Sequence, residues 1–321
     1  MSTSRVILGV DLGGTKLAVG RLDERLSILQ KTVAPTVTGS AQACLSDLYQ
    51  RLDDMVAASG AVDAIGVGTA SEIDFAAGRI VDSTNLPLAD VALRDELQAR
   101  YAVPAIIDND ATVACIAEHS YGAGIGVSEM LMLTIGTGVG GGIICDGRPY
   151  RGFSGAAGEL GHMVIDVNGP RCQGSCPNYG CLEAFVSGSA LAVHARRLAA
   201  AQPGSAFARA AAAGESLDGR LVTRLAQAGD ADAVAVYEEL GTLLGVGITN
   251  LVNAFNPELI VVGGSVAAAG DLLLEPARRV LVERGLRPQR DQARIVVAHF
   301  AADSGLVGAA ALALTELFGG A

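Results

Sequence analysis

An α/β fold made of two similar halves is predicted by three observations. Short apolar runs alternate with stretches whose apolar residues recur three and four positions apart, the pattern of strands alternating with helices. A strand, a glycine turn and a return strand open the chain at residues 6–20, and the same sequence of features recurs from residue 130. Mean hydropathy is +0.39, yet no uncharged apolar run reaches the roughly 18 residues that span a bilayer, so short buried strands account for the value.

Taken in order, VILGV (6–10) reads as a buried strand, DLGGT as a tight turn, KLAVG as the return and SILQKTV as a third strand. Helical periodicity covers 41–58 and 88–101, with strands at IGVGTA (65–70) and PAIID (104–108). In the second half MLMLTI is a strand, GTGVG a turn, GGIIC the return, and Asp146-Gly147-Arg148 the next turn. Residues 187–252 are Ala-rich and mainly helical, ELIVVGG (258–264) is a strand ending on a glycine pair, and 304–318 is a closing helix. The predicted domains are residues 1–112, a small N-terminal α/β domain, and 113–302, a larger one, with the C-terminal helix at 303–321 packing back on the first. No low-complexity linker separates them.

Half of the 321 residues are apolar, enough for a sizeable core. A net charge of −11 disfavours nonspecific binding to nucleic acid, whose phosphates select basic surfaces. The opening MSTSRVILGVD lacks the basic region, long apolar stretch and cleavage site of a signal peptide. A cytoplasmic protein with reduced thiols is therefore expected, with no nucleic-acid or membrane partner. Apolar helices within 187–252 leave surface for a homodimer or homotetramer.

The chain has only four histidines and six cysteines, yet His162, Cys172, Cys176 and Cys181 fall within one stretch, bracketed by Glu159 and Glu183. Three thiolates and an imidazole suit tetrahedral zinc, and a closed four-ligand set implies a structural ion. The surrounding NGPRCQGSCPNYG is rich in Gly, Pro and Asn and needs a cross-link to hold one conformation. Reduced surface thiols, or a disulfide with one cysteine left over, are the other readings. Cys44, Cys115 and Cys145 stand in apolar contexts and read as core residues.

In DLGGTK, Gly13 and Gly14 remove side-chain bulk so that backbone amides can approach a phosphate, while Thr15 and Lys16 add a hydroxyl and a cation. Asp11 at the strand end can hold a hydrated magnesium. An ordinary hairpin uses the same glycine pair. GTGVGG (136–141) fits G-x-G-x-x-G, but the residues after it are apolar and β-like where a dinucleotide fold needs a helix. No G-x-x-x-x-G-K-[ST] element is present either. Two glycine hairpins, one per half, can clamp a triphosphate, and VVGGS (261–265) offers a third turn on which a purine and ribose can lie.

Together these motifs resemble the ROK family of sugar kinases, within the actin and hexokinase superfamily, over nearly the whole chain. DLGGTK resembles the family's first phosphate motif, LTIGTGVGGG its second, DNDA (108–111) its catalytic segment and VVGGS its adenosine motif. GELGH (158–162), followed by the cysteines and GCLE (180–183), is similar to its zinc and sugar signature. The chain departs from the family pattern in having C-x3-C for C-x-C, and GTASEID (68–74) for G-x-P-G-P-x-D on the loop bordering the sugar.

The resemblance implies duplicated actin/hexokinase-like (ribonuclease H-like) domains with an interdomain cleft. It implies ATP-dependent phosphorylation of a hexose 6-hydroxyl, glucose first, with N-acetylglucosamine or N-acetylmannosamine as alternative acceptors and polyphosphate as an alternative donor. Asp110 becomes the general base; a simpler role is to cap the helix that follows it. Asn109, Asp110, Glu159, His162 and Glu183 become sugar ligands, joined by Asn85 unless that residue serves only its turn. His162 serves zinc through one ring nitrogen and the sugar through the other, or zinc alone. Lys16, Thr137 and Gly138 meet phosphate, Asp11 magnesium, and Gly263 and Gly264 the adenosine. The reading from another class is a non-catalytic sugar-binding regulator; a first strand starting near residue 5 leaves no room for a helix-turn-helix before it.

Overall fold

The computed structural model describes residues 5–58 and 61–319. The chain opens with β1 (Val6–Leu12), β2 (Lys16–Asp23), β3 (Ile28–Pro35), α1 (Ala41–Ala57) and β4 (Ala64–Thr69). A hairpin of β5 (Glu72–Asp74) and β6 (Arg79–Asp82) leads to α2 (Leu93–Tyr101), β7 (Ala105–Asn109) and α3 (Asp110–Tyr121). The second occurrence of the pattern is β8 (Met130–Ile135), β9 (Val139–Cys145) and β10 (Arg148–Pro149). Helices α4 (Leu182–Val186), α5 (Gly188–Ala201), α6 (Ala206–Ala212), α7 (Gly219–Gln227) and α8 (Ala231–Phe255) follow. The chain closes with β11 (Leu259–Gly263), α9 (Asp271–Arg284), α10 (Gln289–Gln292), β12 (Arg294–Val297) and α11 (Ser304–Phe318).

The two five-stranded sheets have matching orders, β3-β2-β1-β4-β7 and β10-β9-β8-β11-β12. In the first, β1, β2 and β3 form an antiparallel meander while β4 and β7 run parallel to β1. In the second, β11 and β12 run parallel to β8. This repetition is the duplicated actin/hexokinase-like α/β fold. The chain divides into two compact units: Met1–Gly126, Gly142–Gly158 and Ala302–Ala321 form one, Val127–Gly141 and Glu159–Ala301 the other. Because α3 packs along α11, the first unit continues past the boundary at 112 suggested by the sequence.

In the first unit one sheet face is covered by α1, whose Cys44, Leu48, Leu52 and Met55 meet Leu8, Val10, Leu17 and Val67 in the core. Ser40 starts that helix by accepting from the Ala43 amide at 3.2 Å. The other face carries α11 at unusually short range. A Cβ on Gly66 would lie 1.8 Å from the Ala309 carbonyl oxygen, and one on Gly9 2.6 Å from that of Leu306. Residues 301–318 match a membrane span by length and apolar composition, but 56% of that window is buried and the helix lies on β1, β4 and α3.

The helix expected at 88–101 begins only at Leu93. Val91 is held by Ile80 in a pair of backbone hydrogen bonds of 2.9 and 3.0 Å, and Asp90 takes a left-handed φ of 57°, so residues 88–92 serve the β6 edge instead.

Candidate functional site

The ends of the parallel strands in the first unit gather its polar residues. Asp11, Gly68 and Asp108 are level with one another in β1, β4 and β7, and Thr69 is level with Asn109. The carboxyl ends of parallel strands are where α/β sheets bind ligands. After Asp11 the chain turns through Gly13 and Gly14, closed by the Gly13 amide donating to the Lys16 carbonyl at 2.9 Å and by Thr36 Oγ1 donating to the Gly13 carbonyl at 2.6 Å. Lys16 Nζ returns to Asp11 Oδ2 at 2.9 Å. Gly305, at the start of α11, makes room for that carboxylate, since a Cβ there would lie 2.6 Å from Asp11 Cγ. Asn85 stands over the turn, with Cβ 2.7 Å from where a side chain on Gly14 would begin.

Asp110 is the first residue of α3, and the cap belongs to its neighbour. Asn109 Oδ1 accepts from the amides of Ala111 (2.9 Å) and Thr112 (3.2 Å). Asn109 Nδ2 donates to the Ser71 carbonyl at 3.4 Å. The capping role considered for Asp110 is therefore corrected; its Oδ1 accepts the adjacent Ala111 amide at 2.8 Å, while the cap bonds go to Asn109. Asp110 sits in the first turn of α3, at the positive end of the helix dipole.

Beneath this turn lies an ion pair that sequence reasoning did not find. Asp108 is 1% exposed. Its Oδ1 accepts the Asn109 amide at 2.9 Å, and its Oδ2 meets Arg151 Nε at 2.8 Å. Arg151 also reaches Glu316 of α11 at 2.8 Å, with its guanidinium 3.6 Å from the centre of the Phe75 ring. Burial pushes the Asp108 carboxyl above its ordinary value, and the Arg151 charge opposes the rise. A single arginine in a glycine-rich loop carries no sequence signal of such a role.

In the second unit the glycine hairpin between β8 and β9 is held on both legs. Gly136 and Thr137 carbonyls accept from the first amides of α5, Gly188 at 2.7 Å and Ser189 at 3.4 Å. On the far leg, the Val139 amide donates to Glu183 Oε2 at 2.8 Å. A Cβ on Gly138 would lie 2.3 Å from that same oxygen. Gly264, with φ of 86°, follows Gly263 at the end of β11 and lies against Ile135, whose carbonyl oxygen would be 2.4 Å from a Cβ there. The structure thus brings Thr137, Gly138, Gly263, Gly264 and Glu183 together. Glu183, at 9% exposure, is a hairpin anchor as well as a candidate sugar ligand.

The four predicted metal ligands also converge. Donor atoms of His162, Cys172, Cys176 and Cys181 all lie within 4.8 Å of one another, so the longer C-x3-C spacing still closes the set. The Cys172 amide bonds to the Asn178 carbonyl at 2.9 Å, and Val164 bridges to Cys181, folding the loop back on itself. His162 Nδ1 lies 3.5 Å from Cys172 Sγ, while Nε2 points to Glu159 Oε2 at 3.7 Å. All six cysteines are free thiols, which removes the disulfide reading. Burial, followed by hydrogen bonding among the thiols, pushes Cys172 above the ordinary thiol range, and burial raises Cys181 too. Only a cation among them makes thiolates favourable, and this donor set fits zinc. Elsewhere, Cys44 and Cys115 are buried as expected of core residues, whereas Cys145 is half-buried.

The chain matches the ROK family over residues 7–316. It is 33% identical over 313 residues to a glucokinase of Streptomyces coelicolor, covering 95% of this chain and 96% of the relative. It is 32% identical over 307 residues to an N-acetylmannosamine kinase of Citrobacter koseri, covering 95% and 98%. A crystal structure of a ROK family glucokinase from Streptomyces griseus, in complex with glucose and AMPPNP, superimposes with a TM-score of 0.85 at 32% identity, covering 96% of this chain and 98% of that one. The fold and site define a member of the actin/hexokinase-like superfamily, and the chain belongs to the ROK family.

The buried ion pair makes a testable claim. Arg151→Met leaves Asp108 without its counter-charge and is expected to cost about 3–5 kcal/mol in urea unfolding. Because the folded pKa of Asp108 lies above the unfolded value, its ionised form costs stability, and protonation relieves that cost as pH falls through the folded pKa. The deficit of the variant should therefore narrow from neutral towards acid pH; a pH-independent deficit would contradict this account.

Proposed function

We propose that this protein is an ATP-dependent hexose kinase that transfers the γ-phosphoryl group to the 6-hydroxyl of a sugar, with glucose as the preferred acceptor. The observation carrying the reading is the row of polar residues at the ends of β1, β4 and β7, where Asn109 caps α3 and so relieves Asp110 of that task. Kinship with glucokinases supports the choice of sugar.

In this reaction Asp110 takes the proton of the 6-hydroxyl as its oxygen bonds to the γ-phosphorus, and the bond from that phosphorus to the bridging oxygen breaks to release ADP. Asn109, Glu159, His162 and Glu183 hold the ring hydroxyls, with His162 presenting Nε2 while Nδ1 faces the thiols. Asn85, against Gly14, borders the phosphate turn and would contact the sugar from there. Thr15, Lys16, Thr137 and Gly138 meet phosphate oxygens, and Gly263 and Gly264 support the nucleoside. Asp11 would hold magnesium, which neutralises charge on the phosphates when bound; Lys16, paired with Asp11 in this structure, would then turn to the phosphates. Zinc would be held by His162, Cys172, Cys176 and Cys181, ordering the loop that carries the sugar ligands.

An ADP-release assay with magnesium-ATP against glucose, N-acetylglucosamine, N-acetylmannosamine, mannose and fructose tests the reading. Fast turnover on glucose supports it, preference for an acetamido sugar reassigns the acceptor, and sugar binding without turnover on any of the five points to a regulator. Asp110→Asn should lower kcat at least about 100-fold with folding intact, as expected for loss of a general base; near-normal turnover would remove that assignment. Elemental analysis of protein purified without chelator should find about one zinc per chain, as a closed four-ligand site requires. Cys176→Ser should then lower thermal stability and sugar affinity together, and an unchanged melting curve would argue against the knot.

A further inference from the structure

We infer that Gln173 is a positioning residue that ties the metal knot to the glycine hairpin of residues 135–139; the inference rests on the proposed nucleotide-binding role of that hairpin. Gln173 lies in the spacer between Cys172 and Cys176, so closure of the four-donor set determines where its backbone stands. Its side chain reaches the junction of α4 and α5, where Nε2 donates to Ser187 Oγ at 2.6 Å and to the Glu183 carbonyl at 3.4 Å.

Ser187 is fully buried and caps α5, accepting from the Ala190 amide at 3.2 Å. The next two residues deliver the contact to the hairpin. Gly188 donates to the Gly136 carbonyl at 2.7 Å, and Ser189 donates to the Thr137 carbonyl through Oγ at 2.9 Å. The approach leaves no slack, because a Cβ on Gly188 would stand 2.8 Å from the Gly136 carbonyl oxygen. The first turn of α5 therefore sets the peptide planes on either side of Thr137, and with them the aim of the hairpin amides. Glu183, whose carbonyl Gln173 touches, holds the other leg through Val139. Gln173 thereby adds a side-chain link between the metal knot and the nucleotide hairpin, beside the chain path that runs from Cys181 to Glu183 and α5, through contiguous hydrogen bonds.

The test uses the full-length, metal-loaded protein and calorimetric binding of magnesium-AMPPNP and, separately, of glucose, with zinc per chain measured on the same samples. Gln173→Ala should weaken AMPPNP about three- to tenfold, the effect of one lost hydrogen bond, while glucose affinity and zinc content hold. In a Ser187→Ala background the same change should weaken AMPPNP by clearly less than it does alone, because the 2.6 Å bond is already gone and only the 3.4 Å contact with the Glu183 carbonyl is left to lose; a full additive loss would count against the link. Unchanged AMPPNP affinity, a parallel loss of both ligands, or loss of zinc would each overturn the inference. Wild-type protein that binds glucose but not AMPPNP would instead remove the nucleotide-binding reading of the hairpin, and the coupling with it.

Discussion

The contact on which the first unit depends is that of α11 with the bare backbone of its sheet. Glycines at 9 and 66 let helix carbonyls approach to distances that any side chain would forbid, and Gly308 does the same against the Val113 carbonyl of α3. Interiors pack at crystal-like density, so such an approach fixes helix and sheet to within a few tenths of an ångström. At the closest point the side chain beside Gly66 is a short one, Ala313, while Leu306 spreads over Gly9 and Gly20. The ends of β1, β4 and β7, and the start of α3, inherit their positions from this packing.

Burying Asp108 at one of those ends is the cost of ordering the turn that follows. An isolated carboxylate there would be strongly disfavoured, and Arg151 offsets this by bridging Asp108 to Glu316 on α11. The helix that seals the sheet thus also anchors the arginine. In consequence, the Asn109 cap and the Asp110 carboxylate are presented by a segment tied down from beneath, which is what preorganised chemistry requires.

The second unit solves a similar problem with different means. Its glycine hairpin has almost no side chains with which to hold itself, so its carbonyls are fixed by α5 and its Val139 amide by Glu183. Those anchors follow directly after Cys181, the last donor of the four-residue set. The loop that gathers these four donors within 4.8 Å of one another thus leads straight into the residues that position the hairpin.

Much of this was legible in the chain itself. Apolar periodicity and turn chemistry act over a few residues, and they located the two meanders, the strands at 65–70 and 104–108 and the closing helix. The convergence of His162, Cys172, Cys176 and Cys181 was legible because soft ligands are scarce in this composition. Tertiary structure decided what depends on partners far along the chain. The stretch 88–92 left its helical pattern because Ile80 claimed it as an edge, and Asn109 rather than Asp110 took the cap because α3 begins one residue earlier than a cap at 110 requires. Arg151 found Asp108 across 43 residues, and Gln173 found Ser187 across 14. Such pairings are selected by desolvation and close packing in the folded protein, and no local pattern of residues encodes them.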